Sequence, residues 1–203
     1  KGIDIVRRLT GGRAILHQHE LTYSVIADEK LEQVSGSVIE SYLKISKALV
    51  LGLNQFGIEV EMTARPSKEK ASAACFDAPS WYEIVWRGRK LVGSAQMRRQ
   101  GHLLQHGSLP FRIDVDLLFD LLNIAKPEVK QRFKENFINK AIGLEDVAGK
   151  KIQCEILIKA LSEGFRESFE VDLIPGDLTE QELELAENLR ATKYSQLSWN
   201  NSK

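Results

Sequence analysis

A cysteine and a lysine fifteen positions apart have the side chains that acyl transfer requires. Cys75 lies in a segment without periodicity, and Lys90 opens the run Lys-Leu-Val-Gly-Ser-Ala-Gln. A thiol becomes a useful nucleophile when a neighbouring cation lowers its pKa toward ambient pH. The six links from Cys75 to Trp81 reach back about 20 Å, whereas a strand over 81–86 spans roughly 17 Å, so thiol and amine can meet. The sequence permits this contact without requiring it; the alternatives are a small buried cysteine and a solvated lysine.

A pair of glycines near the start of the chain suits a loop that holds a carboxylate, thioester or phosphate. Gly11-Gly12 can adopt positive φ and bring the backbone close to a ligand. Arg7, Arg8 and Arg13 place cations around the pair. The alternative is an ordinary turn with exposed arginines that serve solubility.

The strand that begins at Lys90 is expected to sort its residues onto two faces. Alternation puts Lys90 and Ser94 on one face, together with Val92 and Gln96. Gly93 and Ala95 on the other face leave space for a ligand or a neighbouring backbone to approach closely.

The remaining potential ligands and nucleophiles do not form a second site. His17 and His19 are two positions apart and His102 and His106 are four apart. No acidic or cysteine ligand stands at a recognised metal-binding spacing, so we expect no metal. Cys154 shares the helical spacing of apolar residues around it and is expected to pack.

Composition limits the class of protein. With 203 residues and 43% apolar content, the chain can bury one sizeable core or two modest ones. The 28 basic and 28 acidic residues cancel, which removes the long-range field that draws proteins to nucleic acid or anionic membranes. No apolar run approaches the roughly 18 residues of a membrane span, and no signal segment opens the chain. We therefore expect a soluble cytoplasmic protein that binds neither nucleic acid nor membrane.

Strands are predicted in the first half of the chain, around one long helix. Strand propensity is high over 3–6 and 21–26, on either side of the glycine pair. A Ser37/Glu40 capping box opens an amphipathic helix that ends near Gly57. Residues 64–80 are predicted to form a loop. Three strands of an antiparallel meander follow over 81–86, 90–98 and 102–109, the first two joined by the three residues Arg87-Gly88-Arg89.

After Pro110 the pattern becomes helical, with a short strand expected over Val171-Asp172-Leu173. Helices are predicted over 115–122, 128–133, 152–169 and 179–193, the last opened by a Thr179/Glu182 capping box. The whole is an α+β fold, with a mixed, largely antiparallel sheet and packed helices. We predict a catalytic core over 1–125 and a mainly helical C-terminal region over 126–203.

Several motifs, in this order, resemble the biotin/lipoate protein ligase family, and within it the bacterial protein octanoyltransferases of lipoate assembly. They are Arg7–His17 (RRLTGGRAILH), Glu20–Val25 (ELTYSV), Cys75–Glu83 (CFDAPSWYE), Gly88–Gln96 (GRKLVGSAQ), Leu104–Ser108 (LQHGS), Thr192–Tyr194 (TKY) and Trp199-Asn200. The resemblance implies the family's catalytic fold. Family members carry a further N-terminal segment that contributes sheet and pocket wall, so this chain is expected to be a fragment.

The resemblance implies a two-step transfer of an octanoyl group. The group passes from acyl carrier protein to Cys75 as a thioester, and then to a lysine of a lipoyl-domain protein such as the glycine cleavage H protein. Lys90 matches the family lysine that lowers the thiol pKa, and no cofactor is implied. The residues that match the family's pocket-forming motifs are Arg8, Thr10, Gly11, Gly12, Ala14, His17, Ser94, Ala95, His106 and Gly107.

The sequence is also compatible with two other functions. An ATP-dependent lipoate ligase of the same family would use the arginines and glycines for an adenylate and would not need Cys75. A non-catalytic acyl-binding module of this fold would bind ligand without turnover.

Overall fold

A computed structural model describes residues 2–63 and 82–202 of the chain. Cys75 and the loop predicted over 64–80 lie outside the described residues. Within these ranges the strands are β1 Glu20–Asp28, β2 Glu61–Met62, β3 Ile84–Trp86, β4 Arg89–Arg99 and β5 His102–Pro110. The helices are α1 Val38–Gln55, α2 Val115–Leu121, α3 Pro127–Lys140, α4 Leu144–Ala148, α5 Cys154–Phe169, α6 Glu180–Leu189 and α7 Leu197–Asn200, and a π-helical turn over Arg190–Tyr194 follows α6.

The strands form an antiparallel sheet with the order β1-β5-β4-β3-β2. This confirms the meander predicted from the sequence. The β3–β4 connection is two residues long rather than three, because Arg89 already pairs with Trp86. Arg87 and Gly88 both have positive φ, as a two-residue type I′ hairpin turn requires.

Helix α1 forms where the sequence predicts it. Glu40 N donates to Ser37 Oγ over 3.2 Å, and Ser37 N donates to Glu40 Oε2 over 2.6 Å, which completes the capping box. Leu49 and Leu53 of α1 are buried in the main core cluster with Leu91 and Val92 of β4. The helix therefore covers part of the sheet that carries Lys90.

Two described segments that were predicted to be strands are irregular in the structure. The segment over 3–6 is not a strand, and Ile5 in it is 81% exposed. The segment over 171–173 is also irregular and follows Glu170, whose left-handed conformation ends α5. Both segments have strand-forming residues, but a strand is stable only when a neighbouring strand satisfies its backbone groups.

The predicted helices are confirmed, with differences in length. Helix α3 extends to Lys140, seven residues beyond its predicted end at Phe133. Helices α4 and α7 were not predicted, since their five and four residues are too short to display helical periodicity. None of the helices among the described residues is long and apolar enough to cross a membrane.

The chain divides into two compact units. One unit comprises Lys1–Gly11 together with Leu173–Lys203, so it joins the two ends of the chain. The other unit, Gly12–Asp172, contains the sheet and α1 to α5. The division predicted between residues 125 and 126 remains a prediction.

Candidate active site

Lys90 is a buried lysine at the beginning of β4. Its side chain is 8% exposed, and Nζ donates a hydrogen bond to Glu83 Oε1 over 2.7 Å. The Glu83 side chain is itself only 15% exposed. Lys90 also forms a parallel bridge with Ala141, and its carbonyl oxygen accepts from Ile142 N over 3.0 Å. A solvated surface lysine, which was the alternative, is therefore excluded.

A β-bulge changes the strand face that was predicted for Lys90. Ile84 pairs with Val92, whereas the next residue, Val85, pairs with Lys90, so Leu91 is an extra residue in β4. A bulge interrupts the two-residue alternation and redirects the neighbouring side chains. The prediction that Lys90 shares a face with Val92 and Ser94 by simple alternation is therefore wrong.

Ser94 and Gly107 lie opposite each other in β4 and β5, level with Tyr23 of β1. Tyr23 Oη donates to Ser94 Oγ over 2.7 Å and accepts from Gln105 Nε2 over 3.1 Å. Burial raises the pKa of Tyr23, and these two hydrogen bonds offset part of that rise. A methyl group on Gly107 would lie 2.5 Å from Gly93 O and from Tyr23 Cε1. Only glycine fits this close approach between strands.

Ala95 and His106 are also opposite each other, in the adjacent row of the sheet, with Ser24 of β1 beyond them. Ala95 and His106 are half-buried, and Ser24 is exposed. The register therefore brings together four of the predicted substrate-binding residues, namely Ser94, Ala95, His106 and Gly107.

The glycine pair is divided between the two compact units, with Gly11 in the first and Gly12 in the second. Arg8 Nε and Nη2 donate to Gly11 O over 3.2 and 2.7 Å, which fixes the turn within the first unit. Thr10 of the same unit is buried. Gly12 belongs to the second unit and has a φ of 105°. Of the two glycines, Gly12 is the one whose backbone needs the left-handed region.

Ala14 and His17 follow the glycine pair in the second unit. Ala14 lines a cavity of about 30 Å³ together with Leu16, Glu20, Ile113 and Phe137. His17 Nδ1 contacts Glu20 Oε1, and Ser108 Oγ donates to Glu20 Oε2 over 2.6 Å. The acidic partners Glu20 and Glu83 were not predicted. Glu20 stands three residues after His17, a spacing that could have revealed it.

A larger cleft of about 330 Å³ adjoins the beginning of β4. It is lined by Arg89 and Ala141, which lie beside Lys90, and by a mainly apolar set that includes Ile113, Val115, Phe137 and Ile138. This volume is within the range of pockets for small ligands. Among the described residues, no cluster of His, Cys, Asp and Glu could hold a metal ion.

Sequence comparison identifies the family that this fold belongs to. A family model described as the lipoyl protein ligase A/B catalytic domain matches residues 1–166. The chain is a member of that family. This lipoyl protein ligase A/B domain is 45% identical over 207 residues to the octanoyltransferase LipM of Brevibacillus brevis, covering 98% of the chain and 75% of that protein. It is 40% identical over 205 residues to octanoyltransferase LipM of Bacillus subtilis, covering 98% and 74%.

Solved structures confirm the α+β fold of this family member. The bi-partite lipoate protein ligase of Thermoplasma acidophilum matches with a TM-score of 0.77 and 24% identity, over 98% of this chain and 71% of that chain. A lipoate-protein ligase A bound with ATP matches with a TM-score of 0.74 and 24% identity, over 98% and 72%. At this level of identity the likeness shows the fold alone.

Proposed function

We infer that this chain is a protein octanoyltransferase of lipoate biosynthesis. The observation that carries this conclusion is the 40–46% identity, over 98% or more of the chain, to relatives named octanoyltransferase LipM. The buried Lys90 supports it, because acyl transfer through a thiol needs a cation held near the sulfur. The reaction belongs in the cytoplasm, where thiols stay reduced.

Cys75 is the proposed acyl carrier and Lys90 its electrostatic partner. In the first step the Cys75 thiolate attacks the donor thioester, its new C–S bond forms, and the donor's C–S bond breaks to release a carrier thiol after protonation. In the second step a neutral acceptor amine attacks the acyl carbonyl and forms the C–N bond, the C–S bond to Cys75 breaks, and the proton that the nitrogen loses passes to the departing sulfur. The acyl group is already activated as a thioester, so the sequence of steps needs no nucleotide.

The substrates proposed for the two steps are proteins. The donor is octanoyl-acyl carrier protein, and the acceptor is a lipoyl-domain protein such as the glycine cleavage H protein. The acyl chain and its carbonyl would contact residues of the family motifs. These are Arg8, Thr10, Gly11, Gly12, Ala14, His17, Ser94, Ala95, His106 and Gly107.

The test is incubation with octanoyl-acyl carrier protein in the absence of ATP, followed by intact-mass and peptide mass spectrometry. We expect one octanoyl group on Cys75, which then moves to a lipoyl-domain lysine. Cys75→Ser should abolish the label, whereas Cys154→Ser, which removes the other thiol of the chain, should retain it. Acceptor modification that requires ATP and survives Cys75→Ser would instead establish a lipoate ligase, and binding without transfer would establish a non-catalytic module.

A further inference from the structure

The end of α1 and the beginning of α5 enclose a groove of about 870 Å³ with both apolar and basic walls. Its apolar lining includes Ile58, which is buried, and Ile156, which is 53% exposed. Three exposed lysines also line it, namely Lys150, Lys151 and Lys159. We call this surface the basic groove.

The three lysines of the basic groove have no acidic partner within the described part of the chain. Glu163 also lines the groove, but its Oε2 accepts from Arg166 Nη1 over 2.9 Å. Lysines elsewhere are used differently, since Lys134 of α3 donates to Asp116 of α2 over 2.7 Å. The chain as a whole is neutral, so the charge of the groove acts at short range, within a Debye length of about 8 Å. This charge is available to a partner that makes contact.

The mixture of apolar and basic walls fits a protein helix better than a nucleic acid or a lipid surface. A phosphate backbone would pair with the lysines but offer nothing apolar to Ile58 and Ile156. A flat lipid surface does not enter a groove. An amphipathic helix, by contrast, can present apolar and acidic side chains together on one face. The groove therefore matches an acidic helix with an apolar residue among its carboxylates.

The basic groove lies one short helix away from the segment that contacts Lys90. Ile142 N donates to Lys90 O over 3.0 Å, and Ala148, further along the same segment, lines the groove. Helix α4 forms most of the chain between them, so Ala148 lies about 9 Å from Ile142 at the helical rise per residue. A partner docked in the groove therefore needs a long arm to reach the strand that carries Lys90.

Of the two proteins in the proposed reaction, the donor is the one that has such an arm. A carrier protein holds its acyl group on phosphopantetheine. This arm of about 16 bonds reaches roughly 19 Å when extended, whereas a lysine side chain reaches about 6 Å, at about 1.2 Å per bond. Acyl carrier proteins are also small, acidic and helical, so they complement the charge of the groove.

We propose that the basic groove is the docking site of octanoyl-acyl carrier protein, an assignment that rests on the proposed octanoyltransferase function. Carboxylates of one carrier helix pair with Lys150, Lys151 and Lys159. An apolar residue of the same helix contacts Ile156, and the phosphopantetheine arm extends toward the strand that carries Lys90. The groove binds and orients the donor protein and makes no contact with the acyl group.

The test compares the protein donor with octanoyl-pantetheine, a small donor that has the same thioester. Loading of Cys75 from each is followed by mass spectrometry. For Lys150→Glu/Lys159→Glu we expect kcat/KM for the carrier protein to fall on the order of 30-fold, through KM, because attractive charge pairs become repulsive. Loading from octanoyl-pantetheine should match the wild type, which a misfolded variant could not do.

A second variant and two controls locate the effect. Ile156→Glu should lower kcat/KM for the carrier protein about 10-fold, because it sets a carboxylate against carboxylates. Ile158→Glu should have no effect, since Ile158 is 46% exposed on the same helix but does not line the groove. Lys47→Glu/Lys126→Glu makes the same change in net charge at exposed lysines outside the groove, and should also load as the wild type does.

Enzyme that is already loaded separates donor docking from acceptor docking. Transfer from octanoyl-Cys75 to a lipoyl-domain protein should be equally fast in Lys150→Glu/Lys159→Glu and in the wild type. Slower transfer after normal loading would assign the groove to the acceptor and overturn the proposal. Equal losses with both donors, or no loss with either, would also overturn it. A wild type that loads from neither donor would instead refute the octanoyltransferase function itself.

Discussion

At the scale of single residues, the role proposed for Lys90 in activating the Cys75 thiol depends on its ion pair with Glu83. Both side chains are largely buried and their charged atoms lie 2.7 Å apart. Burying a charge is costly unless a partner compensates it, so Glu83 allows the ammonium to remain inside the protein. The same carboxylate offsets part of the positive potential that a nearby thiol would experience. In the proposed mechanism, Glu83 therefore favours folding and opposes activation of the thiol.

Substitutions of Lys90 and of Glu83 should shift the pH dependence of thiol alkylation in opposite directions. Lys90→Met removes the cation, so the midpoint of the pH profile for alkylation of Cys75 should rise by about 1 to 3 units. Glu83→Gln removes the opposing anion, so the midpoint should fall. Iodoacetamide labelling from pH 5 to 10, read at the Cys75 peptide, measures both. Lys151→Met, at an exposed lysine, should leave the profile unchanged.

An unchanged midpoint in Lys90→Met would refute the proposed partnership between Lys90 and Cys75. Removing one member of a buried pair also lowers stability, on the order of 3 kcal/mol. Circular dichroism of each variant and the double variant Lys90→Met/Glu83→Gln, in which neither charge is left unpaired, separates loss of fold from loss of thiol activation.

At the scale of elements, helices α1 and α5 cross at a point where neither has a side chain. A methyl group on Gly164 would lie 2.4 Å from Gly52 N and 2.5 Å from Ala48 O, and one on Gly52 would lie 2.7 Å from Leu161 Cα. These are backbone contacts that cannot relax without moving a helix. The close approach allows Leu49, Leu53 and Leu161 to pack in the main core beneath the sheet.

Gly164→Ala should therefore destabilise the protein although alanine favours helices. Overpacking against backbone costs about 3 kcal/mol, and alanine regains roughly 1 kcal/mol of helix preference, so we expect a loss of about 2 kcal/mol in the free energy of unfolding. Urea denaturation followed by circular dichroism measures it. Gly176→Ala, at a glycine with open space around it, should change stability by less than about 0.5 kcal/mol. A Gly164→Ala variant as stable as the wild type would contradict this helix crossing.

The same elements show which features the sequence can predict. The capping box and apolar spacing of α1 are local, so its position was predicted to within a few residues. The strand face on which the Lys90 side chain lies was predicted wrongly, because the bulge at Leu91 arises from how β3 and β4 pair. The segments over 3–6 and 171–173 have strand-like composition, but neither pairs with a strand among the residues that the structure describes. Likewise Glu83 and Ser108 became part of the site only through contacts made across strands.

At the scale of the whole molecule, the two ends of the chain hold each other. Asn200 Oδ1 accepts from Arg7 N, and Trp199 Nε1 donates to Arg7 O, each over 2.8 Å. The Arg7 guanidinium also lies 5.9 Å from the centre of the Trp199 ring. Arg7 immediately precedes Arg8, whose side chain fixes Gly11. The C-terminal residues thereby order the first part of the motif that carries the predicted substrate-binding residues Arg8, Thr10 and Gly11.

Asn200→Ala should loosen this motif and also removes the hydrogen bond that Asn200 Nδ2 donates to Tyr194 O over 2.9 Å, while the Gly12–Asp172 unit stays folded. Loss of a hydrogen bond to a backbone amide costs about 1 kcal/mol, so amide exchange at Arg7 and its neighbours should accelerate about fivefold. The KM for octanoyl-acyl carrier protein should rise, with the kcat of transfer less affected, because substrate binding depends on an ordered motif. Asn201→Ala is the matched control, since Asn201 makes no side-chain hydrogen bond within the described part of the chain. Faster exchange with an unchanged KM would show that these N-terminal residues do not contribute to donor binding.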